Sequence, residues 1–239
     1  MQPLSLERII AMTYGDKKCL PVLAGLYFIT LLVSQLLSYR FVTFGSILTV
    51  ASVFIIPFTY SIADLIAEQY GYHTIRKTIW WAMMMLFITC FALCTSQALP
   101  AAAKYQKYTD AYYVVFHPML RIYFANLIAA IPGMFLNSYI IVKWKIRVQG
   151  KIFFVRSLVS SLAGEMLFTS IAISLVQFGI VKWQEIAEMI LISMSVKIIF
   201  TVFSAGVARM LKPMIRRIDG GDTFENTTNY NPFAPSLVK

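Results

Sequence analysis

The sequence predicts an all-α, polytopic integral membrane protein with six transmembrane helices and both termini in the cytoplasm. Three observations predict it. Hydrophobic residues make up 59% of the 239 residues and charged residues only 13%, with a mean hydropathy of +0.69; a soluble domain carries roughly 25% charged residues. Six apolar runs are each long enough to cross a bilayer, which takes about 20 residues. Lys and Arg are unevenly shared between the connecting segments. This composition excludes a disordered chain, a coiled coil and a soluble nucleic-acid-binding domain. The formal charge of +10 is accounted for by basic residues gathering in cytoplasmic loops. Lipid is therefore an expected partner and nucleic acid is not.

The elements follow in order. Residues 1–19 form a cytoplasmic N-terminal segment, and the membrane domain covers 20–217. Span one is 20–38, too long for the apolar core of a signal peptide and followed by further spans. Span two is 46–68 and contains Pro57. Span three is 78–99; its Cys90 and Cys94 lie four apart on one helix face and read as small buried hydrophobes. An outer loop, 100–118, carries Tyr105, Tyr108, Tyr112 and Tyr113, which suit an interfacial aromatic belt or a lid over a cavity. Spans four, five and six are 120–142, 152–178 and 185–211. The tail, 218–239, is polar with Gly, Asn and Pro and reads as disordered.

Orientation comes from the basic residues. Segments that share a side with the N-terminus hold 15 Lys and Arg, among them Arg76, Lys77, Lys143, Lys145, Arg147 and Arg216. The other side holds five: Arg40, Lys104, Lys107, Arg121 and Lys182. The excess marks the cytoplasmic side.

Ionisable residues inside the spans point to function, because their burial is costly. Asp64 and Glu68 lie four apart on one face of span two. Glu165 lies nine residues after Arg156, about 13 Å along a helix and near the midplane. Lys197 reaches a similar depth in span six, so Glu165 and Lys197 are a candidate ion pair. Small and polar residues share these faces: Asn126, Ala130, Gly133 and Asn137 in span four; Ser157, Ser161, Gly164 and Phe168 in span five; Ser193, Thr201 and Ser204 in span six. Such faces suit close helix packing, or a polar cavity for a small ligand. His73 and His117 stand alone in loops, so no metal site is expected. No HExxH, GxSxG or P-loop motif is present and no cofactor is expected. An intramembrane enzyme using Glu165 or Asp64 as acid or base, and a substrate-capture subunit of a larger uptake system, are the alternatives to a transporter.

The stretch from Phe54 through Pro57, Asp64, Glu68, Tyr70 and Gly71 to Arg76 resembles the signature of the queuosine precursor transporters, also called the vitamin uptake transporter family. That signature reads, loosely, Phe-Pro, a few apolar residues, Asp, then Glu-x-Tyr-Gly and a nearby Arg. Arg121 at the start of span four, Arg156-Ser157 before the carboxylate of span five, and Lys197 agree with it. Two positions depart: Glu165 stands where the family usually has Asp, and Asn137 where it often has Asp.

The resemblance implies a six-helix inner-membrane importer of 7-deazaguanine precursors of queuosine, such as 7-cyano-7-deazaguanine, 7-aminomethyl-7-deazaguanine or queuine. It supplies a substrate-binding set of Asp64, Glu68, Asn137, Glu165, Lys197, Arg121 and Arg156, with a deazapurine as the small-molecule partner; a homodimer is left open. A guanine-like edge offers two donors beside one acceptor. A carboxylate accepts both donors, and Lys or Asn donates to the acceptor. Glu165 with Lys197 or Asn137 matches that pattern, with Phe or Tyr stacking on the ring.

Overall fold

The computed structural model describes residues 17–44, 47–100, 103–220, 223–224 and 229–233. Helix α1 covers Cys19–Leu37. A short antiparallel hairpin follows, β1 (Phe41–Phe44) and β2 (Ile47–Val50), in register Phe41 with Val50 and Phe44 with Ile47. Then come a tight turn at Ala51–Phe54, α2 (Ile56–Tyr70), α3 (Tyr72–Thr95), α4 (Gln106–Phe116), α5 (Met119–Arg147), α6 (Phe153–Gln177) and α7 (Trp183–Asp219). Among the described residues six helical stretches are long and apolar enough to cross a membrane, as the hydropathy pattern predicts.

The expected start of span two, at residue 46, lies outside the described residues, and the next residues, 47–50, form a strand where helix is expected. Thr43, Thr49 and Val50 are β-branched residues that favour an extended ribbon, and Pro57 sits in the first turn of α2, where its missing N–H costs nothing. Span six also runs on past its expected end at 211. Helix α7 continues through Lys212, Arg216 and Arg217 to Asp219, because basic residues suit a helix C-terminus beyond the apolar zone. Residues 1–16 of the expected N-terminal segment lie outside the described residues.

Helix α2 is the central element: 13 of its 15 residues are buried. The bundle is apolar outside, and inside it a column of polar residues runs through an apolar core. Val22, Ile88, Ile199, Phe203 and Met210 are exposed, whereas Asp64, Asn137, Arg156, Ser157, Ser160, Ser161 and Glu165 are buried. That arrangement is stable only where the surroundings are themselves apolar.

Two glycine positions decide the local geometry. Gly71 is the single residue between α2 and α3 and adopts φ 85°, ψ 173°, a conformation in which a side chain would be strained. Gly164 lets α6 cross α5 closely. A Cβ there would lie 2.6 Å from the Gly133 carbonyl oxygen, 2.8 Å from the Tyr60 ring and 2.9 Å from the Asn137 Cβ.

Both described ends of the chain meet at one end of the bundle. The backbone N–H groups of Lys18 and Cys19, at the start of α1, each donate to the Asp219 carboxylate at 2.9 Å, and Tyr70 Oη donates to it at 2.7 Å. Described tail residues lie against the same end. Tyr72 Oη donates to the Tyr230 carbonyl (2.8 Å), Arg76 to that of Asn231 (3.0 Å) and Trp80 Nε1 to that of Pro232 (3.0 Å). The composition of the tail carries no sign of these contacts.

Candidate functional site

The polar interior divides into three clusters along the bundle axis. The cluster nearest the Asp219 end is built on Glu68, which is buried. Arg156 donates to it in fork geometry, Nη2 to Oε1 at 2.8 Å and Nη1 to Oε2 at 2.9 Å, and Lys212 Nζ adds a bond at 2.6 Å. Arg156 also donates to the carbonyls of Ile141, Gly150 and Lys151. It thereby pins the turn between α5 and α6, where Gln149, Gly150 and Ile152 all have positive φ. Lys145 donates to the Glu68 backbone carbonyl and, at 2.9 Å, to that of Thr223. Glu68 is thus enclosed by its partners and not solvated.

One helical turn further in lies Asp64, fully buried. Ser157 and Ser161 on α6 both donate to Oδ2, Ser161 at 3.0 Å, and Asn137 Nδ2 on α5 donates to Oδ1 at 2.8 Å. The i, i+4 spacing of Ser157 and Ser161 places both hydroxyls on one face of α6. No ion pair to Asp64 occurs among the described residues.

The third cluster joins α6 to α7. Thr201 Oγ1 lies 3.1 and 3.2 Å from the two Glu165 carboxylate oxygens, and Lys197 Nζ lies 2.6 Å from Thr169 Oγ1. Glu165 and Thr169 are four apart on α6; Lys197 and Thr201 are four apart on α7. The bonds therefore run straight across, and the expected direct pair of Glu165 with Lys197 is replaced by two threonine contacts. Thr201 also bonds to the Lys197 carbonyl at 2.7 Å.

Lys197 lines a narrow cavity of about 70 Å³ at the hairpin end of the bundle, opposite Asp219. Phe168, Thr169, Asn126, Thr49 and Ser193 share its wall. The Lys197 ammonium lies 5.7 Å from the Phe168 ring centroid. Of its three N–H groups, one is directed at Thr169; no second acceptor occurs among the described residues. No residue of α4 lines this cavity, and none of the helix's residues is buried, so its tyrosines do not form a lid here.

The structure thus brings together six of the seven expected site residues in one polar column: Glu68 with Arg156, Asp64 with Asn137, and Glu165 near Lys197. Arg121 stands apart. Its side chain is exposed and donates to the Phe178 carbonyl at 3.0 Å. Thr169, Lys212 and Lys145 belong to the column but escape a sequence reading. Thr169 is one of several hydroxyls in span five, and the two lysines look like ordinary residues of the basic end.

Residues 50–210, about two-thirds of the chain, match the sequence profile of a family described as "putative vitamin uptake transporter". No curated protein and no solved structure matches the chain. With its six long apolar helices, its polar axis and this match across α2 to α7, the chain is a multi-pass membrane protein that belongs to the vitamin uptake transporter family.

Proposed function

We propose that the protein imports a 7-deazaguanine precursor of queuosine, or queuine itself, across the inner membrane, acting as a transporter and not as an enzyme. The observation that carries this reading is the buried Lys197 ammonium, which lines the cavity with spare donors beside Phe168. A flat ring carrying a carbonyl suits that pair: the ammonium donates to the carbonyl oxygen and the phenyl ring lies against the heterocycle. Glu165, one turn deeper on α6, then accepts the two donors beside that carbonyl. The signature residues from Phe54 to Arg76 support the same substrate class. At about 70 Å³ the cavity is smaller than ligand sites of roughly 300 Å³ and upward, so the helices and hairpin around it must part for the ring to enter.

Uptake of radiolabelled 7-cyano-7-deazaguanine tests the proposal, with 7-aminomethyl-7-deazaguanine, queuine, guanine and adenine as competitors. Saturable uptake blocked by the deazaguanines and spared by adenine is expected. Lys197→Met and Glu165→Gln each remove one hydrogen-bond partner of a buried polar group, worth about 1–3 kcal/mol, so affinity should fall roughly five- to 150-fold. Failure of the wild-type protein to take up any deazaguanine would overturn the assignment.

A further inference from the structure

We infer that Asp64 is a proton-binding site whose loading and unloading accompany transport. The inference rests on the transport activity of the family and not on the substrate being a deazapurine.

Asp64 is a fully buried carboxylate without an ion-pair partner among the described residues. Its surroundings suit both protonation states. The ionised form has three donors, the hydroxyls of Ser157 and Ser161 and the amide nitrogen of Asn137. The protonated form needs an acceptor, and one is in place. Asn137 Oδ1 is buried and has no partner among the described residues. A half-turn of the amide exchanges Nδ2 for Oδ1 against Asp64, and the new O–H donates to it. Loading forms one O–H bond on Oδ1 and takes the carboxylate from negative to neutral; unloading reverses both. A carboxylate with only donors around it, or only apolar neighbours, would be locked in one state.

The charges around Asp64 allow both states too. On α2, Tyr60 lies one turn toward the cavity and Glu68 one turn toward the Asp219 end. Arg156 and Lys212 hold Glu68, and Lys145 on α5 bonds to its backbone. Tyr27 on α1, and Glu165 and Lys197 at the α6–α7 contact, complete the titratable groups along the column. The cations around Glu68 outnumber its one carboxylate, which favours an anion a turn away. The apolar core and the membrane favour a neutral group.

A proton is the occupant the geometry selects. The three donors close on the carboxylate at hydrogen-bond distance, so a metal ion, which needs several oxygen ligands around open space, would have to push them apart. Among the described residues no group of three or more His, Cys, Asp or Glu side chains could hold a metal. Tyr60 marks the way toward the cavity. Its hydroxyl is buried, without a partner among the described residues, and lies 3.0 Å from where a Cβ of Gly133 would stand.

The test needs no substrate; the probe is the proton. Purified protein in lipid, labelled with [4-¹³C]aspartate, is titrated from about pH 5 to about pH 9, the range in which buried carboxyls change state, and followed by infrared difference spectroscopy. One isotope-shifted carboxylic C=O band of a buried acid should appear and vanish reversibly. It should persist in Glu165→Gln and be absent from Asp64→Asn. The labelled wild type answers the question even if Asp64→Asn fails to fold, since the other four aspartates, Asp16, Asp110, Asp219 and Asp222, lie outside the buried column or outside the described residues and can be replaced by Asn together. If the quadruple variant shows only an ionised carboxylate across the titration, or only a protonated acid, Asp64 does not exchange protons and the inference fails. Either result leaves the deazaguanine uptake assay, and hence the substrate proposal, untouched.

Discussion

Arg156 grips Glu68 with both arms of its guanidinium, at 2.8 and 2.9 Å, in the buried interior of a bundle that presents apolar side chains outward. Such a pair is not a net source of stability by default, because both charges are desolvated. Removing one partner is another matter. Glu68→Gln would leave Arg156 and Lys212 facing each other across a neutral amide. The expected loss is about 3–5 kcal/mol, read as reversible unfolding in mixed micelles. A wild-type midpoint would show that the pair is not what holds α2 to α6.

The α5–α6 crossing makes a second prediction. A Cβ at Gly164 would fall within 3 Å of the Gly133 carbonyl, the Tyr60 ring and Asn137. Gly164→Ala should therefore cost about 1–3 kcal/mol, the usual penalty of overpacking. Gly206 in α7 is the control, because an added Cβ there meets nothing within 4 Å. Its replacement by Ala should stabilise the helix by about 0.5–1 kcal/mol. Equal effects at the two positions would refute the close crossing.

Thr201 carries the one side-chain hydroxyl within hydrogen-bond reach of Glu165 among the described residues, its single proton shared with the Lys197 carbonyl. Thr201→Val keeps the shape and removes the hydroxyl, leaving the carboxylate without a partner at a cost of about 1–3 kcal/mol. Thr201→Ser keeps the donor and should stay near wild type. The same unfolding assay compares the two. Identical behaviour of the Val and Ser variants would mean that Glu165 draws on another donor.

The fourth prediction is the orientation. The 15-to-5 division of Lys and Arg predicts that both termini lie in the cytoplasm. A reporter active only in the cytoplasm should work when fused to the C-terminus and fail when inserted near Lys104. Activity at Lys104 and silence at the C-terminus would invert the topology.

Much of the candidate site was legible in the sequence because charge is conspicuous in an apolar background. Asp64, Glu68, Glu165 and Lys197 stand out in runs of hydrophobes, and helical spacing puts Asn137, Ser157 and Ser161 on inward faces. Their partners were not legible. Spacing gives the depth of Glu165 and Lys197 but not their rotation about the helix axes, so it suggests a direct pair where two threonines intervene. Glu68 and Arg156 are 88 residues apart in the chain, and no local pattern records a contact of that range.

The sequence by itself determined the number of crossings and the residues that must avoid lipid, since both follow from the transfer cost of each side chain, a local property. Only the tertiary structure decided the rest: that Glu68 is held by Arg156 and Lys212, that Asp64 has three donors and no cation among the described residues, and that Lys197 alone of these charged residues reaches the cavity wall. These depend on how α2, α5, α6 and α7 are turned toward one another. That rotation is set by close packing at contacts such as Gly133 with Gly164 and Tyr60, which exist only once distant segments have met.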